Sequence, residues 1–269
     1  MSDIEHFLRG DQLYGDDLTQ NELEAWYVDE TEGYAQLGAS DRSTYFYRYD
    51  ALNRLQFFRE IKERKFNCAL GLGSAYGAEF KPIARQIRDI VIIEPSGAFG
   101  VAEIEGTPIR RVLPRADCLL PVGDASVDLV LCLGVLHHIP KVSLSLEEIY
   151  RTLCPGGLVC LREPIVSMGD WRFPRPGLTT RERGIPLKVL DYRLRDLGFI
   201  VRRKALCDFR PLIVIANRTG RVPFNSAVLS RLDAVLSQLF RWNYVYHRKS
   251  AWRKFAPASI SYVLQKPAA

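Results

Sequence analysis

Three glycines and one carboxylate define the first chemistry this chain could hold. Residues 69–77 read Ala-Leu-Gly-Leu-Gly-Ser-Ala-Tyr-Gly, so Gly71, Gly73, Ser74 and Gly77 close an apolar run that begins at Cys68. Glycine lets the backbone turn tightly after a strand and come close to a ligand where a Cβ would clash. The next apolar run, Ile90–Ile93, ends in Glu94 and Pro95, with Glu94 21 residues beyond Gly73. A carboxylate about 20 residues past a glycine turn is placed to grip the two ribose hydroxyls of an adenosine ligand. The pattern by itself could belong to NAD, FAD or S-adenosylmethionine.

Two later stretches narrow the choice. One runs Leu-Pro-Val-Gly-Asp-Ala-Ser-Val-Asp-Leu-Val-Leu-Cys-Leu-Gly-Val-Leu-His-His-Ile over residues 120–139; the other is Leu-Cys-Pro-Gly-Gly-Leu-Val over 153–159. With the glycine turn and Glu94, and in the same order, they resemble the class I S-adenosylmethionine-dependent methyltransferases, in the branch related to ubiquinone biosynthesis. The resemblance covers roughly 65–165, with a looser tail. It implies S-adenosylmethionine as cofactor, S-adenosylhomocysteine as product, and cofactor contacts at Gly71, Gly73, Ser74, Gly77, Glu94, Pro95, Asp117 and Leu133. The family usually has an acid where this chain has Gly71 and a glycine where it has Ala75.

Methyl transfer needs donor and acceptor held in line and, for a hydroxyl or amine acceptor, a route for the departing proton. His137 and His138 directly follow the predicted fourth strand, where the resemblance places the acceptor. They are candidates for a general base, or for packing of the loop. Residues 162–186 contain Arg162, Glu163, Trp171, Arg172, Arg181 and Arg183 among four prolines. Arginine forks suit carboxylate or phosphate, so this loop reads as a site for an anionic sugar, polysaccharide or glycolipid acceptor, or as a solvated basic face. Tyr45, Tyr47 and Tyr49, with Arg48, form an aromatic stretch over 43–49 that reads as a packed connector or as a lid. It would also admit an aromatic or polyketide-like acceptor. The changes at Gly71 and Ala75 leave room for a cofactor-binding subunit without turnover. No cluster with metal-ligand spacing is found.

The elements that must carry these residues alternate. Strands are expected over 66–71, 90–94, 109–113, 127–133, 157–163, 199–206 and 259–265, and helices over 19–35, 50–64, 78–87, 143–153 and 187–197. The strands are apolar throughout, as strands covered on both faces should be. Ser143 or Ser145 should cap the 143–153 helix. The expected fold is α/β: a Rossmann-like, doubly wound, mostly parallel sheet whose last strand the resemblance makes antiparallel. Residues 1–64 read as an N-terminal helical lid, 65–207 with 258–269 as the core, and 208–257 as a cap insertion. In that insertion Val228, Leu229, Leu232, Val235, Leu236, Leu239 and Phe240 recur at helical spacing and call for an apolar partner.

Charge is graded along the 269 residues. Residues 1–60 carry 5 basic and 13 acidic side chains, 61–161 carry 11 of each, 162–210 carry 12 and 6, and 211–269 carry 9 and 1. The acidic head could dock on the basic tail, or the tail could face an anionic partner. Aromatics interleaved with bases over 240–255 suit a packed cap or peripheral contact with a membrane face; no RNA-binding module accompanies them, so nucleic acid is the weaker partner. Six cysteines in apolar runs without a Cys-x-x-Cys pair suit reduced thiols and a cytoplasmic setting. Nothing in the sequence fixes the oligomeric state.

Overall fold

Eight strands form one sheet in the order β3-β4-β2-β1-β5-β6-β8-β7. In chain order they are β1 (Phe66–Leu72), β2 (Ile87–Ile93), β3 (Glu103–Ile104), β4 (Thr107–Val112), β5 (Val127–Leu133), β6 (Leu153–Pro164), β7 (Ile200–Phe209) and β8 (Pro257–Gln265). The computed structural model describes residues 4–36, 45–97 and 99–268; Ser43 and Thr44 of the aromatic stretch fall outside them. The four pairings β4–β2, β2–β1, β1–β5 and β5–β6 are parallel, and β8 runs antiparallel between β6 and β7. The small hairpin strand β3 at the far edge had no signal in the sequence.

Side chains alternate across each central strand and feed two cores. Leu70, Leu72, Val91, Val130, Cys132 and Val159 face one layer. That layer is built from α4 (Val142–Thr152), through Leu146 and Ile149, and α5 (Leu187–Asp196), through Leu190 and Leu194. Ala69, Ile90, Ile92, Leu129 and Leu131 face the other layer, where Phe57, Ile61, Phe80 and Ile83 pack. Two-sided burial is the reason the strands read as unbroken apolar runs.

The remaining helices depart from expectation in informative ways. The helix expected over 50–64 ends at Phe58: α3 (Asp50–Asn53) continues into a wider π-helical turn, Arg54–Phe58. Residues 78–86 form a 3₁₀ rather than an α-helix, with Pro82 inside it. Neither Ser143 nor Ser145 caps α4; its cap position is Lys141, and Ser143 donates its backbone N–H to Asp16 Oδ1 at 3.0 Å. The segment before the sheet is divided. α1 (Glu5–Arg9) and α2 (Gln20–Gln36) belong to the head, whose Trp26 and Asp16 reach His138 and Ser143, whereas residues 45–58 lie by β8 and the C-terminal helices.

α6 (Arg210–Arg218) and α7 (Ala227–Leu239) complete the chain before β8. α7 turns the opposite face inward from the one its apolar spacing suggests. Ser230, Asp233 and Ser237 are fully buried, and Val228, Leu232, Val235 and Leu239 are exposed. Asp233 explains the choice: its carboxylate accepts the backbone N–H groups of Asp208 (3.0 Å) and Phe209 (2.7 Å), where β7 passes into α6. Small serines on either side let the helix lie close against β7. Replacing Asp233 with alanine strands two buried donors, so a loss of about 2–4 kcal/mol in urea unfolding is expected; a loss below about 0.5 kcal/mol would refute this account of the helix.

Candidate functional site

The glycine turn after β1 is shaped by close packing. Gly73 and Gly77 have φ of +55° and +69°, in the left-handed region that favours glycine. A Cβ on Gly77 would meet Ile104 Cδ1 at 2.5 Å, and one on Gly73 would meet Val135 Cγ1 at 2.9 Å. Ala75 also sits at positive φ, +41°, so the turn keeps its shape without the glycine usual there, at some cost in strain. Glu94, just past β2, accepts from Ala75 N at 3.0 Å and Ser96 N at 3.3 Å. Burial raises its pKa, while those two N–H groups and Arg111 pull it down. Arg111 holds the same turn by donating to the Ala75 carbonyl at 2.7 Å.

Beside this turn lies a cleft of about 250 Å³. Leu72, Gly73, Ser74, Glu79 and Leu133 form one wall; Tyr45, Phe46, Tyr47, Arg48, Tyr49 and Arg162 form the other. Tyr45 meets Tyr76 of the turn edge-on, with centroids 4.8 Å apart. The Arg162 guanidinium lies 4.3 Å over the Tyr49 ring and donates to Asn53 Oδ1 at 2.6 Å. The strip is fixed from behind by Asn225, which donates to Tyr47 O at 2.7 Å and accepts from Asp50 N at 2.8 Å, and by Phe224 stacked on Tyr49.

Glu79 is the cleft's one carboxyl, and sequence reasoning missed it. It is buried, with the Ser74 hydroxyl beside it. Burial pushes its pKa up to about 7, against the opposing pull of Ser74. Ser74 Oγ is itself buried without a hydrogen-bond partner. A Cβ on Gly71 would run into Ser74 Oγ and Phe80, so the place of a side chain at 71 is already filled. The available signal was an acid between Ala78 and Phe80 in a run with an otherwise apolar inner face.

His137 and His138 lie elsewhere: neither lines the cleft. They form a 3₁₀ turn, Leu136–His138, held by Glu163 of β6. Glu163, with no exposed surface, accepts from Val135 N (2.9 Å), Leu136 N (2.8 Å) and His137 N (3.3 Å), and lies 2.8 Å from His137 Nδ1. His137 Nε2 lies 3.6 Å from Glu182, and His138 Nδ1 lies 3.0 Å from Glu30. One ligand atom from each of His137, His138 and Glu182 falls within 4.8 Å of the others, and the two imidazoles are also paired with Glu163 and Glu30. Burial and the neighbouring His138 hold the His137 pKa below 6.5, despite Glu163 and Glu182.

Most of the arginine loop is engaged within the protein. Arg183, fully buried, donates to the carbonyls of Tyr14, His137 and Pro140, each at 2.9 Å. Arg181 pairs with Asp29, and Arg172 with Asp170 and Glu5. Trp171 donates to Ser167 O and stacks on Tyr14. The ion pairs of the acidic head are therefore made with this loop, and Gly10 of the head also packs closely on Tyr246. Of the residues expected to meet an acceptor, Tyr45, Arg48 and Arg162 come together at the cleft, while Trp171, Arg172, Arg181 and Arg183 join the head. Asp117 is exposed and bound by Arg115 at 2.6 Å, which holds its pKa down at about 2. Pro95 follows Glu94 at the surface.

Residues 70–161 match the family model described as a methyltransferase domain. Solved structures share the fold. An S-adenosylmethionine-dependent methyltransferase from Mesorhizobium loti is 14% identical, with a TM-score of 0.51 over 80% of this chain and 95% of that one. The protein in complex with the Haloferax volcanii Trm112 methyltransferase activator is 17% identical, TM-score 0.51, over 91% and 98%. The [4+2]-cyclase SpnF is 17% identical, TM-score 0.53, over 82% of each chain.

Two expectations follow from the turn at 135–138. Glu163→Ala leaves three backbone donors and a buried imidazole unpaired, and should cost about 3–5 kcal/mol in urea unfolding, with Glu163→Gln losing less. Because the folded pKa of His137 lies below the unfolded value of 6.5, the unfolded chain takes up that proton first. Stability present above pH 6.5 is therefore lost as pH falls below it. Unfolding of the wild type and His137→Asn at pH 7.5 and 5.5 should show the smaller acid loss in the variant; equal losses would contradict this assignment.

Proposed function

We propose that the chain, whose residues 70–161 match a methyltransferase domain, is a class I S-adenosylmethionine-dependent methyltransferase whose cleft brings the cofactor's reactive end to an anionic sugar, polysaccharide or glycolipid acceptor that it O-methylates. When bound, the cofactor supplies an electrophilic methyl on a sulfonium sulfur. The chain's task is to hold, orient and shield. One observation carries the reading: a buried carboxyl, Glu79, and beside it the buried Ser74 hydroxyl, which lacks a hydrogen-bond partner, face a cleft beside the glycine turn. Buried polar groups of this kind are satisfied when a ligand arrives. S-adenosylmethionine carries an α-ammonium group whose N–H donors match a carboxylate, so Glu79 takes the charge that an acid at position 71 would hold in relatives.

Gly73 and Gly77 let the turn approach the ligand, Glu94 with Pro95 borders the ribose, and Leu133 backs the site. Tyr45, Arg48 and Arg162 meet the acceptor, the two arginines serving its anionic group and the rings its sugar face. His137, His138 and Glu163 act as positioning residues: they fix Val135, which packs on Gly73. Trp171, Arg172, Arg181 and Arg183 hold the head to the core. Four aromatic side chains in the wall, Tyr45, Phe46, Tyr47 and Tyr49, favour a second reading, an aromatic or polyketide-like acceptor. A fold shared with a [4+2]-cyclase makes turnover the decisive readout.

Isothermal titration with S-adenosylmethionine, S-adenosylhomocysteine, 5′-methylthioadenosine and NAD tests the cofactor site. The wild type should bind the first three and not NAD; no binding of the first two would overturn the proposal. Glu94→Ala should weaken all three. Glu79→Gln should lose tenfold or more for the two ligands bearing the amino-acid tail and little for methylthioadenosine. An equal loss for all three, or none, would remove Glu79 from this role. The same substitution has a stability signature. A folded pKa near 7 against 4.5 unfolded means stability falls as pH rises between the two values. Ligand-free Glu79→Gln should exceed the wild type at pH 8, by up to ~3 kcal/mol, and match it near pH 4.5. For the acceptor, Arg162→Met should abolish transfer to anionic sugars while sparing an aromatic phenol, if the first reading is right.

A further inference from the structure

The outward face of α7 is apolar, and the charged side chains of α7 and residues 241–255 that reach solvent are basic. Val228, Val235 and Leu239 are 71%, 62% and 62% exposed, and Leu232 lies between them on the same stripe. Positions i, i+4, i+7 and i+11 form a single ridge along a helix. The ridge continues beyond the helix end into Trp242 (64% exposed), Trp252 and Phe255, whose rings follow one another at centroid distances of 6.3 and 5.5 Å. Arg231, Arg241, Lys249, Arg253 and Lys254 are exposed along this track. The single acidic residue of 211–269, Asp233, faces the other way and is fully buried. No helix among the described residues is long and apolar enough to cross a membrane.

We propose that α7 and residues 241–255 form a docking face for an anionic lipid surface, with the helix lying in the interface plane. An apolar ridge supplies the insertion, tryptophans suit the headgroup level, and the basic side chains of α7 and 241–255 supply attraction to anionic headgroups. Charge selects this occupant over a second copy of the chain: an isologous contact would set these arginines and lysines against their own copies. The face also adjoins the cleft. Phe224 and Asn225, immediately before α7, hold the Tyr47–Asp50 backbone that forms the cleft's outer wall. A lipid-carried acceptor would thus meet the site at the surface where the protein docks. The docking face is independent of the cofactor assignment.

Co-sedimentation of the full chain with vesicles tests it. The wild type should pellet with equimolar phosphatidylglycerol and phosphatidylcholine and stay in the supernatant with phosphatidylcholine alone. Val235→Glu/Leu239→Glu and, separately, Arg253→Glu/Lys254→Glu should each lower partitioning tenfold or more at unchanged circular dichroism and Tm, since these side chains already lie in water. Raising salt to 0.5 M should weaken binding of the wild type. A wild type that ignores anionic vesicles, or binding that both variants retain, overturns the proposal. Sedimentation velocity showing a wild-type dimer that Val235→Glu/Leu239→Glu dissolves would overturn it in favour of a second copy.

Discussion

Glu163 has no exposed surface, and its two oxygens gather three successive backbone N–H groups and one imidazole from the turn after β5. Those donors would otherwise be buried without partners at the carboxyl end of a parallel strand, where the sheet itself cannot satisfy them. Satisfying them from one side chain fixes the path of residues 134–138. Val135 is thereby set against Gly73, and the histidine turn against the carbonyls that Arg183 collects. The glycine turn, the head and the arginine loop are thus tied to one carboxylate. Breaking it disturbs the glycine turn and the head together.

A similar economy governs the two polar contacts that sequence patterning hides. Asp233 fixes α7 against the β7–α6 junction, and Asn225 fixes the Tyr47–Asp50 backbone against the start of α7. Each replaces a larger apolar contact with two directed hydrogen bonds. In exchange the outer ridge of α7 is freed from the core. The acidic head is held differently: Asp29, Glu5 and Asp16 reach the loop and α4 through exposed or half-buried pairs. Such pairs contribute little each, and the buried Trp26 and Arg183 between them supply the firmer part of the contact.

Seven of the eight strands, the glycine turn and the place of Glu94 at the end of β2 were legible in the sequence, because each rests on local pattern or spacing, while the antiparallel direction of the last strand came from the family resemblance. The signals failed where a long-range partner decided the outcome. Ser143 looks like a helix cap until Asp16, 127 residues away, takes its N–H. Five arginines in one loop look like an anion site until each is followed to its partner; only Arg162 lines the cleft. α7 shows an apolar stripe, and periodicity cannot say that Ser230, Asp233 and Ser237 will face inward instead. Glu79 went unread because only the packed fold shows that the short apolar face of 78–86 carries its carboxyl inward.

Arg162 and Glu163 are neighbours on β6, and the pleat sends them to opposite faces, one into the cleft and one into the histidine turn. A strand offers no way to adjust one without the other. Gaining or losing a single residue between Leu158 and Arg162 would turn the guanidinium to the face of the turn and the carboxylate to the face of the cleft, reversing both local charges at once. Sequence drift in this protein can therefore lengthen the loop beyond Pro164 or recolour the rim of the cleft. The residue count of β6 is not free to vary in the same way.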